Sequence, residues 1–123
     1  MIQGNTMQKD EIKTRIEENG FTFKPKPQNR EMAHLTQDVR FWLQGKDVGL
    51  VYGTPEQANK VAETVYGMSF KDLCKTLNGS LPNQKPCVQA EGAKHKQINI
   101  RYAHMTEEVL EIILKPHIDR NRN

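Results

Sequence analysis

Four residues near the end of the chain bring together the side chains that proton transfer and phosphate chemistry require: His95, Arg101, Tyr102 and His104. Histidine titrates near neutral pH, and arginine grips a phosphate through two parallel N–H bonds. With Lys94 and Lys96 flanking His95, the set suggests a small ribonuclease, His95 and His104 acting as acid and base and a cation steadying the phosphorane. The spacing argues against it. His95 and His104 are nine residues apart, so one continuous strand sends them to opposite faces, and only a bend reunites them. A structural or surface role is the expectation for each, and no catalytic residue is assigned.

The segment Arg101-Tyr102-Ala103-His104-Met105-Thr106, followed by Glu107-Glu108 and an apolar helix, is similar to the nucleophile segment near the C-terminus of tyrosine recombinases. That resemblance implies a covalent role for Tyr102. It covers only this short stretch, the chain has no His-x-x-Arg element upstream, and it is too short for such a catalytic domain. The family is not adopted. Cys87, His95 and His104 match no structural zinc spacing, and Cys74 and Cys87 make neither a zinc signature nor a disulfide framework. No Gly-rich phosphate loop or Gly-x-Ser-x-Gly elbow occurs, so neither metal nor cofactor is expected.

A second constellation is more diffuse. Phe41, Trp42 and Tyr52 interleave with Arg40 and Lys46; Lys24 and Lys26 precede them, and Lys94, Lys96 and Arg101 follow at a distance. Aromatic rings stack bases and Lys or Arg side chains track phosphates, so this pattern suits a nucleic acid, DNA or RNA. The candidate binding residues are therefore Lys24, Lys26, Arg40, Trp42, Lys46, Lys94, Lys96 and Arg101. If they bind together they must line one surface, with Trp42 at least partly exposed. Phe41, Leu43, Leu50 and Tyr52 are expected in the core.

Composition sets the frame for these sites. The 123 residues fit one domain, with 1–5 and 117–123 expected to be mobile ends. An apolar fraction of 36% and a mean hydropathy of −0.77 imply a modest core. The excess of 18 Lys+Arg over 15 Asp+Glu is small, but the bases gather in strand and loop segments and the acids in helical ones. The N-terminal MIQGNTMQKDE lacks the plan of a signal peptide, and no apolar run is long enough to span a membrane, so a reducing cytoplasm is the default.

The elements that must position the candidates follow from local signals. Residues 40–44 and 48–52 are β-prone runs joined by Gly45-Lys46-Asp47, a hairpin. Thr54 and Pro55 then open a helix with Ala58, Val61, Ala62 and Val65 on one face, and Gly67 closes it. Ser69 caps a second helix carrying Phe70, Leu73, Cys74 and Leu77, which Asn78-Gly79 ends. A first helix is expected from Thr6 to Asn19, a short strand at 21–23, and a basic Pro-rich loop at 25–29, with 31–36 open between helical turn and loop. Residues 87–90 and 97–102 form a second hairpin, on which Ile98, Ile100 and Tyr102 share a face. Thr106 caps a last helix, apolar nearly all round, which Pro116 stops. The fold class is α+β: a small single domain with two β-hairpins and about four α-helices.

A helix apolar on most sides needs cover. If the core does not supply it, a protein partner or a second copy of the chain must, and residues 106–115 would be the contact. The sequence thus supports two functions. One is non-catalytic nucleic-acid binding through a basic hairpin and loop surface. The other is a protein-binding inhibitor or adaptor acting on a larger assembly, of the sort phages and plasmids carry.

Overall fold

The hairpin at the centre of the chain forms the middle of the molecule's sheet. In the computed structural model, which describes residues 6–51, 54–81, 88–91 and 96–121, strands β3 (Arg40–Leu43) and β4 (Asp47–Val51) pair antiparallel, with Phe41 opposite Leu50 and Leu43 opposite Val48. These four apolar residues are fully buried. Alternation along both strands buries one face and leaves the other to Arg40, Trp42, Asp47 and Gly49.

The sheet extends on both sides of this pair. The second expected hairpin is present as β5 (Val88–Glu91) and β6 (Lys96–Arg101), and β6 also pairs with β4, Leu50 opposite Ile98 and Val48 opposite Ile100. On the other flank, β1 (Lys24–Lys26) and β2 (Arg30–His34) form a hairpin where a basic loop and an open segment were expected. Its three-residue turn, 27–29, places Gln28 and Asn29 at φ 66° and 57°, both in the left-handed region. The strand expected at 21–23 begins instead at Lys24, and Pro25 sits on the outermost strand, where a missing N–H breaks no interior ladder. The result is one six-stranded antiparallel sheet, ordered β1-β2-β3-β4-β6-β5.

Four helices cover the buried face. Helix α1 (Lys9–Glu18) starts later than Thr6: the Gln8 N–H donates to Glu11 at 3.0 Å and sets the N-terminus, while Thr6 bridges to Thr106. Helices α2 (Pro55–Tyr66) and α3 (Phe70–Ser80) start at their sequence signals, with Gly67 at φ 75° closing α2 and the Ser69 hydroxyl accepting from Asp72 N–H at 3.1 Å. Helix α3 runs through Asn78-Gly79, expected to end it, to Ser80. The Asn59 carboxamide accepts from Phe70 N–H at 3.0 Å and ties the two together. Ile12 and Ile16, Ala58 and Ala62, Leu73 and Leu77 pack with the sheet residues into one hydrophobic cluster.

Helix α4 (Glu107–Asn121) starts with the Thr106 hydroxyl accepting from Val109 N–H, as expected, but does not stop at Pro116. Proline removes one helical N–H and crowds the carbonyl one turn back. The carbonyl that loses its helical donor is that of Ile112. The Tyr66 hydroxyl donates to the next carbonyl, Ile113, at 2.8 Å and lies 3.1 Å from His117 Nε2, so a tertiary donor braces the helix beside the interruption. His117, expected to begin a mobile tail, is only 1% exposed and meets the Phe21 and Tyr66 rings edge-on. Among the described residues, no helix is long and apolar enough to cross a membrane.

Candidate nucleic-acid interface

Strand register decides which candidate residues meet. Lys24 lies opposite Met32, Met32 opposite Trp42, Trp42 opposite Gly49, and Gly49 opposite Asn99. One step along the sheet, Lys26 faces Arg30; in the other direction, His34 faces Arg40; Asp47 faces Arg101. Directly opposed residues share a face. Lys24, Lys26, Arg40, Trp42 and Arg101 therefore come together on the sheet face away from the helices, joined by Arg30 and His34. Among the described strand residues, five bases stand there against one acid, Asp47.

The remaining candidates separate. Lys96 shares the parity of Ile98 and Ile100 and so points to the helical side, its ammonium 5.3 Å from the Phe70 ring. It leaves the expected surface because a period of two puts 96, 98 and 100 on one face. Lys46 is exposed in the β3–β4 turn, at the rim of the open face. Lys94, His95, Tyr52 and Cys87 lie outside the described residues. His104 is partly exposed in a 3-10 turn (Tyr102–His104) that follows β6.

Trp42 has a specific setting on the open face. The Arg30 guanidinium lies over its indole, 4.8 Å from the ring centroid, a cation–π stack. The Arg30 Nε–H also donates to the Pro27 carbonyl at 3.0 Å, which anchors the guanidinium to the β1–β2 turn. Met32 is only 5% exposed, although it stands outside the core cluster; cover from its open-face neighbours must account for this. The centre of the sheet thus offers a flat aromatic and cationic platform, partly exposed and ringed by bases.

Beside Trp42 the face dips at Gly49, which carries no side chain. A Cβ there would stand 2.6 Å from Gln44 Nε2 and 3.1 Å from Asn99 Oδ1, so two carboxamides close over the glycine. Asp47 Oδ1 and Asn99 Oδ1 are shielded from solvent and have no hydrogen-bond partner among the described residues. Tyr102 donates its hydroxyl to the Gln44 carbonyl at 2.8 Å and pins the end of β6 to the β3–β4 turn. Burial, reinforced by the charge of Asp47, pushes its pKa up to about 12. It is a neutral structural donor near pH 7, not the activated phenol a covalent role requires.

The electrostatics of the face are one-sided. Lys26 and Arg30 are directly opposed, an arrangement of like charges that costs stability within a sheet. Among the described residues, the ion pairs involve Lys9 and Lys13 with Glu31, and Arg15 with Glu107, all on the helical side. No group of three His, Cys, Asp or Glu residues is placed to hold a metal among the described residues. An open cleft of ≈ 400 Å³ between the β2–β3 turn and α2, lined by Asp38, Lys60 and Thr64 among others, has no comparable concentration of one charge.

Arg30, His34 and Asn99 were absent from the sequence candidates. The alternation Arg30, Met32, His34 was present in the sequence, but without a glycine to mark the turn at 28–29 nothing announced a hairpin. No protein-family model matches the chain, and neither a curated protein nor a solved structure matches it.

Proposed function

We propose that the protein binds single-stranded nucleic acid across the open face of its sheet, without catalysing a reaction. The observation that carries this reading is the register itself, which gathers Lys24, Lys26, Arg30, Arg40 and Arg101 around Trp42 on the face turned away from the four described helices. Unpaired like charges are a cost to the fold alone, and a polyanion would offset it. The geometry favours a single strand over a duplex. Six strands at a spacing of ~4.8 Å make a surface about 24 Å wide, and a major groove of about 12 Å cannot admit it. A single strand can lie across it, with a base stacked on the Arg30–Trp42 platform and phosphates against the flanking bases.

The protein-partner reading asked for an uncovered apolar stripe on α4. Val109, Leu110, Ile113 and Leu114 are instead buried in the core, and Ile112 is partly buried against it. This supports the first reading over the second.

Trp42 is the single tryptophan of the chain, so its fluorescence reports directly on the proposed site. Titration with mixed-sequence single-stranded DNA and RNA should quench it, with affinity falling as salt rises. Neutralising four or five phosphates predicts a log–log salt slope of roughly −3. Arg40→Glu with Arg101→Glu should abolish the quench. If single strands leave the fluorescence unchanged even at low salt, the proposal is wrong.

A further inference from the structure

We infer that the dip at Gly49 reads the base next to the Trp42 platform and prefers guanine. This rests on the reading of the open face as a single-strand site. The chemical basis is a set of groups on this part of the face: the Asn99 Oδ1 acceptor beside Gly49, the Asp47 Oδ1 acceptor two residues along the strand on the same face, both without partners among the described residues, and one amide donor, Gln44 Nε2. Buried acceptors in folded proteins are almost always paired, so two on one patch of sheet call for a donor the chain does not supply. The Watson–Crick edge of guanine offers two donors, N1–H and the N2 amino group, beside one acceptor, O6. Adenine, cytosine and uracil or thymine each present fewer donors than acceptor oxygens wait for, or set them in another order. A guanine edge over Gly49 would donate to the two oxygens and accept from Gln44.

The glycine is what makes the approach feasible. It stands directly between Trp42 and Asn99 in the register, and a side chain there would fill the space a base edge must occupy. The Gln44 carboxamide lies over Gly49, so the proposed base edge enters only where this long side chain rotates aside. The charge of Asp47 strengthens the bond to a guanine N–H and repels the acceptor atoms that the other bases would set against it.

The test uses the full chain and short uridine or thymidine tracts carrying one central guanine, inosine, adenine or cytosine, in ribo and deoxy forms, followed by Trp42 quenching. Guanine should bind roughly tenfold tighter than the unsubstituted tract, and inosine, which lacks the N2 amino group, should lose most of that gain. Gly49 has no positive φ, so Gly49→Ala is compatible with the strand, and it should bring the guanine tract down to the level of the others. Far-UV circular dichroism confirms that the variant is folded, and Asn99→Ala should have the same effect on the preference. If every tract binds alike, base reading is refuted while the single-strand site stands. If no tract binds at all, the site itself is refuted.

Discussion

Phe41 and Trp42 are neighbours on one strand and serve opposite sides of the same sheet. On the helical side, Phe41 is fully buried and packs edge-on to Phe23, 6.2 Å between ring centroids, and the nearby charges are paired: Lys13 meets Glu31 at 2.6 Å. On the open side, Trp42 stays partly exposed under Arg30, and none of the bases on its face, Arg101 opposite Asp47 included, forms an ion pair among the described residues. The same strands thus carry two kinds of order. One face is complete, with apolar surface covered and charge matched. The other carries bases outside any ion pair and buried acceptors outside any hydrogen bond among the described residues, and on these features the proposed single-strand site rests.

The sharpest way to separate the two faces is to truncate these neighbours in turn. Phe41→Ala should cost about 3–5 kcal/mol of stability, a large part of the total for a domain of this size. Chemical denaturation would show it, with nucleic-acid affinity of the folded fraction little changed. Trp42→Ala should do the reverse, weakening binding by about 1–3 kcal/mol with a small effect on the denaturation midpoint. Equal stability losses from both would erase the distinction between the faces.

Charge removal should sharpen it further. Arg40→Gln ought to reduce the salt slope of binding by about one, whereas Lys96→Gln, on the helical side, should leave the slope where it was. A change at Lys96 as large as that at Arg40 would mean the strand reaches around the sheet edge.

The smallest expected effect lies on the helical side. Lys13 and Lys9 hold the Glu31 carboxyl below its usual range, the hydrogen bond to Lys13 being the main cause. A depressed carboxylate pKa adds stability above the unfolded pKa and loses it as pH falls through the folded one. Glu31→Gln should therefore lower the melting temperature slightly near pH 7, and the gap should close in acid below the carboxylate range. Because the pair is substantially exposed, the effect should be small. A gap that persists in acid would show that Glu31 acts through packing instead.

Much of this architecture was legible in the sequence. Thr54, Pro55, Gly67 and Ser69 mark the ends of α2 and the start of α3, Pro55 and Gly67 by backbone geometry and Ser69 by its hydroxyl, while Thr54 takes the cap position without a side-chain cap bond. The β3–β4 hairpin was equally plain from its aromatic and branched runs. The β1–β2 hairpin was not, since Gln28 and Asn29 adopt left-handed backbone that their side chains do not advertise, and two prolines point to loop. Nor was the run of α4 past Pro116, because the donor that supports it, Tyr66, is far away in sequence. The candidate site was half legible: its residue types were visible, but which bases share a face depends on register and on parity along each strand. Lys96 shows the point, since its two-residue spacing from Ile98 and Ile100 already assigned it to the helical side.

Pro116 also has a kinetic meaning. The backbone ladder of α4 is broken at that residue, so the turns before and after it need not open together. The earlier turns are held by core packing through Val109, Leu110, Ile113 and Leu114. The turn around His117 depends in addition on Tyr66 and Phe21, which belong to other parts of the chain. The amide protons at the end of α4 are therefore expected to trade with solvent without the sheet having to open, at a cost set by the Tyr66 and Phe21 contacts.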